Sequence, residues 1–446
     1  MKILLVNPPR SPHNGILKFA PAEAKRFIHK KLIGPPLGLI TIAAAAHDHD
    51  VTVLDMKGEY DLDPRAAGHD LMIARKLEAI NPDIVGLTFI ASEFNAGIEI
   101  LRAVKKHDPR ILTVAGGLHA TLCPGDFTDP SVDVIIPGQS AGIFMDLVRA
   151  REAERDLGTV PGIFIHGPDA PVFTGPPLKK WNAAGSDFIF PDRSHLRRWI
   201  STYRVGGAAD PSTYVFTSLG CPYRCTFCSI WSQFDGRYLQ REVESVIAEL
   251  KMTGEYPVVR FADANTIVDE HFISALFDRI REEGIEKTFI MDIRFDTAVK
   301  YPALIEKLAR GGLKVVICGF ESFREEDLRR YRKEAPARLI EEAISVFHAN
   351  GIMVRGNYVI PPDYTVEDFH AMTEYASSHR VVYAGYTILT PMPGSELYGL
   401  SKGDIVDFDL GKYNFFNCVL RPAMPLEKFY EHVGRLWLIK EGSDVI

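Results

Sequence analysis

Three cysteines, Cys221, Cys225 and Cys228, lie in the run Gly220-Cys-Pro-Tyr-Arg-Cys-Thr-Phe-Cys228, a C-x3-C-x2-C spacing. One loop therefore offers three thiolates, too few to close a four-thiolate zinc or rubredoxin-like site. Three thiolates can hold three irons of a [4Fe–4S] cube and leave the fourth iron open to a ligand that is not protein. An open iron is a place where a small molecule can bind and receive an electron. The alternatives are a zinc site missing its fourth ligand and a set of buried apolar thiols. No Cys or His follows closely at zinc-ligand spacing, which favours the cube.

With Phe227 just before the last cysteine, the motif resembles that of the radical S-adenosylmethionine (SAM) enzymes. The resemblance implies a [4Fe–4S] cluster on Cys221, Cys225 and Cys228, with SAM chelating the open iron through its amino and carboxylate groups. It further implies that one electron cleaves the sulfonium to methionine and a 5′-deoxyadenosyl radical, which takes hydrogen from a substrate. In such an enzyme the protein holds and orients while the cofactors carry the difficult chemistry.

The elements that must position the loop begin at Tyr214-Val-Phe-Thr-Ser-Leu-Gly220, read as one short buried strand running into it. Further strands are expected at Val258–Phe261, Phe289–Ile293, Val315–Gly319, Met353–Ile360 and Tyr386–Leu389, separated by helix-length segments. The alternation fits a partial (β/α)6 TIM-type barrel, whose strand ends carry chemistry. Polar residues follow most of these strands: Asp263, Arg294-Phe-Asp296, Glu321-Ser322 and Thr390-Pro-Met-Pro-Gly-Ser-Glu396. The family resemblance extends over all of them. It makes Phe227 a partner for the adenine and Arg294 a two-point partner for the SAM carboxylate. Glu321 and Asp263 become candidates for the amino group or the ribose hydroxyls. Each of these last three could instead belong to a rim ion pair. Cys318, within a strand, and Cys418, in the tail, read as packed thiols.

The first third of the chain also alternates. Strands are expected at Lys2–Val6, Val51–Leu54, Ile84–Thr88, Leu112–Ala115 and Val134–Ile136, with helices at Pro36–His47 and about Asn95 to Lys106. Short β-branched runs joined by helical crossovers imply a doubly wound Rossmann-like α/β sheet, which binds ligands beyond the carboxyl ends of its strands. This pattern resembles the cobalamin-binding domain that precedes many radical SAM barrels. The resemblance makes Leu37, Gly38, Asp55, Thr88, Gly116, Gly117, His119, Gly138 and Gln139 candidate cobalamin contacts. Glycines suit that task because backbone without Cβ can approach a bulky corrin. The D-x-H-x-x-G motif of the methionine-synthase type is absent, so cobalamin would lack a histidine ligand from it. Where relatives show Gly-Glu-Gly-Glu, this chain has Gly138-Gln139-Ser140-Ala141-Gly142.

The organisation expected is a Rossmann-like domain at 1–150, a linker at 151–208 with room for one small hairpin, a barrel at 209–400 and a helical tail at 401–446. A tail helix is expected from Pro425 to Ile439, its stripe Phe429, Val433, Leu436 and Leu438 needing a partner surface. It reads as a lid over the barrel. The sharper alternative has Tyr413, Phe415 and Phe416 lining a pocket for a large apolar substrate.

Composition agrees with a cytoplasmic enzyme of several parts. The 446 residues are 46% hydrophobic and 24% charged, and the six cysteines do not form a disulfide framework. No run is long and apolar enough for a signal peptide or membrane span. A net charge of −7 speaks against a nucleic-acid partner. The order of domains resembles the class B radical SAM methylases, the hopanoid C-3 methylases and the oxidative cyclase of the tetrapyrrole pathway. It implies methylation of an unactivated carbon of a sizeable substrate, small-molecule or lipid-like, with SAM, cobalamin and a reduced ferredoxin- or flavodoxin-type electron donor. The alternative within the family is oxidative cyclisation or rearrangement, with cobalamin as an electron carrier or absent. A cluster-bearing binding protein without catalysis is the reading of another class, opposed by the open-site motif and the polar strand ends.

Overall fold

The computed structural model describes residues 1–28, 34–138, 141–176, 188–205, 210–378 and 384–439. They form two compact units, one of Met1–Pro12 with Pro35–Tyr203, the other of His13–Gly34 with Arg204 onward.

The first unit is built on a seven-stranded sheet. Its strands are β1 (Lys2–Asn7), β2 (Asp50–Asp55), β3 (Ile84–Thr88), β4 (Leu112–Gly116), β5 (Val134–Ile135), β6 (Phe164–Ile165) and β7 (Val172–Phe173), in the order β2-β1-β3-β4-β5-β6-β7. The first five pair in parallel and β6 and β7 add an antiparallel hairpin. Parallel strands covered on both faces should be apolar throughout. Leu4, Val6, Leu54, Val85, Leu87 and Ala115 are indeed buried, with Ile98, Leu101 and Val104 of helix Phe94–His107 against them. Strand order reverses between β1 and β3, the place where such sheets open a ligand crevice.

The hairpin expected in the linker is present, but it extends this sheet. The following 3-10 helix, Arg193–Thr202, also packs on the unit. Arg198 donates to both carboxylate oxygens of Glu59, Trp199 Nε1 donates to Glu59 at 3.0 Å, and Tyr203 donates to Asp55 at 2.7 Å.

The second unit holds β8 (Ser212–Val215), β9 (Ser218–Gly220), β10 (Tyr238–Gln240), β11 (Val258–Phe261), β12 (Thr288–Asp292), β13 (Leu313–Glu321), β14 (Met353–Ile360) and β15 (Gly385–Ile388). Six of them form one parallel sheet in sequence order, β8-β11-β12-β13-β14-β15, while β9 and β10 form a separate antiparallel pair. The helices between the strands bury Val246, Leu276, Phe277, Ile305, Leu308, Ile344 and Phe347 against Val259, Phe289, Met291 and Val316. Among the described residues the edges β8 and β15 do not pair with each other, so the barrel is partial.

Residues 13–28 and Gly34, expected within the 1–150 domain, cluster instead with this unit. The physical reason is apolar burial. Ile16, Ala20, Ala24 and Ile28 share a core with Phe429, Tyr430 and Val433 of the tail helix Leu426–Leu436, and Phe19 stacks on Tyr430 at 5.6 Å. This is the partner surface that the helix stripe required. The tail also covers the β15 edge, where Ile388 donates its N–H to Phe415 and Trp437 packs edge-on to Tyr386. An otherwise bare edge strand is thereby closed. Tyr413 is buried and donates to the Asp407 carbonyl, Phe416 packs on the core and Phe415 is exposed. Among the described residues no helix is long and apolar enough to cross a membrane.

Candidate active site

The run from Tyr214 to Gly220 is not one strand. After Val215 the chain leaves the large sheet, because Asp263, at the end of β11, captures its backbone. The Asp263 carboxylate accepts from Thr217 N at 2.8 Å, Ser218 N at 2.7 Å, Thr217 Oγ1 at 2.9 Å and Ser218 Oγ at 3.1 Å. Backbone N–H groups held this way cannot continue a ladder, so Ser218–Gly220 turns off to pair with Tyr238–Gln240. Gly220, at φ +78°, ends that pair, and a Cβ there would lie 2.1 Å from the Arg237 carbonyl oxygen. Gly220→Ala is expected to cost more than about 1 kcal/mol and to lower iron loading, as chemical denaturation and iron analysis would register.

Burial pushes the Asp263 carboxyl up to about 6, outweighing the four hydrogen bonds that pull it down. A carboxyl raised above its ordinary value binds its proton more tightly in the folded protein than in the unfolded chain. Its stabilising contribution is full below about 4, and is lost as pH rises through about 6. Asp263→Asn keeps the shape: Oδ1 retains three of the donors and the amide donates to Thr217 Oγ1. The variant is expected to gain on the order of 1–3 kcal/mol over the parent at pH 7.5 and nothing at pH 4. Urea midpoints at the two pH values check this, and equal differences at both would refute it.

Beyond Gly220 come the three thiols, all free. Burial raises each of them, Cys225 to about 11, and each thiol feels the charge of at least one of the other two. They converge. The loop is braced along its length: Thr226 N donates to Tyr331 O at 3.1 Å, Leu397 N to Thr226 O at 2.9 Å, and Trp231 Nε1 to Cys225 O at 3.0 Å. Arg332 in turn makes a two-point pair with Glu396 at 2.7 and 2.8 Å.

Three charged residues surround Cys225. Lys333 Nζ donates to Glu321 Oε1 at 2.8 Å, with only 8% and 10% of the two side chains exposed. Burial lowers the Lys333 pKa, but Glu321 and the thiol side outweigh it, so the ammonium is held charged. Glu321 has a left-handed backbone, φ +63°, at a bulge between β13 and β14. Strain of this kind is kept where a side chain must be aimed. Gly319 leaves the space: a Cβ there would be 2.2 Å from Glu321 Oε1. Arg294 lies over the Tyr223 ring at 3.9 Å, pairs with both oxygens of Asp296 and donates to Lys333 O at 2.7 Å.

Arg294 and Glu321 thus come together beside Cys225, both acting on its charge. Phe227 lies in a separate apolar cluster with Tyr331, Val359, Leu389 and Leu397. Asp263 sits behind the loop, its oxygens taken by backbone and hydroxyl donors. Lys333, Tyr223 and the Arg332–Glu396 pair were missed by sequence reasoning. Lys333 closes the charged run Arg329-Arg-Tyr-Arg-Lys333, in which nothing local signals that its last member is buried. Cys318 is fully buried, and Cys418, also buried, donates to the Leu420 carbonyl.

In the first unit, Asp55 is buried and accepts from Asn7, Tyr203 and the Lys57 N–H, capping helix Met56–Leu62. Gly117, at φ +94°, has no room for a Cβ, which would fall 2.6 Å from Thr88 Oγ1. Gly138 N donates to Thr121 Oγ1 at 2.9 Å, and Leu37 is buried. A Cβ on Gly38 would meet nothing within 4 Å and one on Gly116 nothing nearer than 3.8 Å, so space is open at both. That openness fits a bulky ligand. His119 is buried among aromatic rings. Gln139 lies outside the described residues. The buried Glu93, paired with Lys57, was not anticipated.

Residues 215–376 match the family model described as the radical SAM superfamily, and residues 27–148 match the B12 binding domain. An uncharacterized methyltransferase of Pyrococcus horikoshii is 28% identical over 98% of this chain and 90% of its own. The hopanoid C-3 methylase of Methylococcus capsulatus is 24% identical over 89% of this chain and 74% of its own. Among solved structures, the radical SAM methyltransferase TsrM of Kitasatospora setae, with cobalamin and a [4Fe–4S] cluster bound, has the same fold. It aligns with a TM-score of 0.67 at 18% identity, over 97% of this chain and 85% of that one.

Proposed function

We propose that this chain, a member of the radical SAM superfamily that also carries a B12-binding domain, is a methyltransferase acting on an unactivated carbon of a sizeable substrate. One observation carries the reading: a three-thiol loop spaced for a cube with an open iron occurs in the same chain as a cobalamin-type domain. When bound, the cofactors supply reductive cleavage of SAM and delivery of a methyl group. The chain's own residues hold and orient. Cys221, Cys225 and Cys228 grip three irons. Arg294, fixed by Tyr223 and Asp296, and Glu321, fixed by Lys333, are the groups for the carboxylate and amino ends of SAM. Phe227 supports the adenine, and Asp263 is a positioning residue that sets the turn into the loop.

In the first unit Leu37, Gly38, Asp55, Thr88, Gly116, Gly117 and Gly138 border the cobalamin position, with Gln139 assigned from sequence alone; His119, enclosed by Phe94 and Phe127, is withdrawn from it. Similarity to a hopanoid C-3 methylase supports a large apolar substrate. The chemistry requires a reductant, for which a ferredoxin or flavodoxin is suited, and three free thiols suit a reducing, cytoplasmic setting.

Anaerobic reconstitution with iron, sulfide and hydroxocobalamin, followed by absorbance and metal analysis, tests the reading. Both a cube and stoichiometric cobalt are expected, together with methionine and 5′-deoxyadenosine from SAM under reductant. A loaded cluster without cobalt would remove the methyltransferase reading.

A further inference from the structure

Beyond the end of β4 the chain runs Leu118-His-Ala-Thr-Leu-Cys-Pro-Gly-Asp126. Cys123 caps the C-terminus of the short helix Leu118–Leu122 and donates its N–H to the His119 carbonyl at 2.8 Å, which holds the two residues one turn apart. The 3-10 turn Pro124–Asp126 then brings Asp126 back beside them. One ring nitrogen of His119, the Cys123 sulfur and a carboxylate oxygen of Asp126 all lie within 4.8 Å of one another. The His119 side chain is 1% exposed. Phe94 and Phe127 lie 5.2 and 5.8 Å from its ring centre. Its Nε2 is buried without a hydrogen bond: Asp126 Oδ2 is 3.0 Å away, but in a direction that closes none. A buried polar atom without a partner is costly and calls for an explanation.

We propose that His119, Cys123 and Asp126 form a zinc site, with three protein ligands and a fourth position for water or another donor. The donor set decides the metal. Imidazole, thiolate and carboxylate are the ligands zinc accepts, whereas calcium and magnesium take oxygen throughout. The site thus gathers a carboxylate, a thiol and an open imidazole, and a divalent ion would supply the partner that His119 Nε2 lacks while displacing the thiol proton.

The test uses the full chain with its cluster already loaded, so that Cys221, Cys225 and Cys228 are occupied, and then zinc chloride as the probe. After gel filtration one zinc per chain is expected. X-ray absorption at the zinc edge should show one sulfur at about 2.3 Å and nitrogen or oxygen at about 2.0–2.1 Å. Cys123→Ser, and Asp126→Asn at a half-exposed side chain that folding tolerates, should each weaken zinc binding at least about tenfold in chelator competition, with cluster iron unchanged. No retained zinc, three or more sulfur neighbours, or undiminished affinity in both variants overturns the proposal. Cobalt content is read separately, so failure to bind cobalamin would not be mistaken for failure to bind zinc.

Discussion

Cys225→Ala is expected to abolish formation of 5′-deoxyadenosine from SAM and to strip the protein of its cluster iron, while leaving the fold intact. Two thiols cannot hold three corners of a cube, so the open iron is lost with the cluster. The fold survives because the contacts that brace the loop run through backbone that alanine keeps: Trp231 donates to the Cys225 carbonyl, and Thr226 bonds to both Tyr331 and Leu397. Iron analysis, deoxyadenosine assay and a thermal melt separate these effects. Full iron content with surviving SAM cleavage would contradict the cluster assignment.

Lys333→Met is expected to be the most damaging change at a residue that does not bind iron. It leaves Glu321 buried beside Cys225 without the ammonium that pairs with it, on a backbone already at φ +63°. Breaking a buried pair from one side costs about 3–5 kcal/mol. The double variant Lys333→Met with Glu321→Gln should recover part of that loss, because a neutral amide is cheaper to bury than a lone carboxylate. Removal of a positive charge next to a cluster ligand should also lower the cluster's reduction potential. Denaturant unfolding and redox titration check the two effects. A single variant as stable as the parent, with an unshifted potential, would show the pair to be incidental.

Both predictions concern one site, but its residues were legible to different degrees. The cysteines announce themselves by type and spacing. So do most strands, because runs rich in Val, Ile and aromatic residues such as Val258–Phe261 and Met353–Ile360 end close to a charged residue or Pro, Asp263 and Pro361 respectively. The split at Phe216-Thr217 was hidden because its cause, Asp263, is a distant residue that takes two backbone N–H groups. Residues 13–28 looked like part of the first domain only by adjacency; their apolar face is paired with a helix at the other end of the chain. Lys333 carries no local signal of its role, since the ion pair that buries it joins two separate segments.

Sequence alone determined the chemistry available to this protein: three thiolates at a spacing that leaves one iron open, and two alternating strand–helix patterns to carry them and a second cofactor. Such features are local, written in residue type and short-range period. The tertiary structure decided which polar groups stand beside the thiols and which merely hold the scaffold, assigning Lys333 to the first role and Asp263 to the second. Burial, ion pairing and hydrogen-bond capture act between residues far apart in the chain, so no local pattern encodes them.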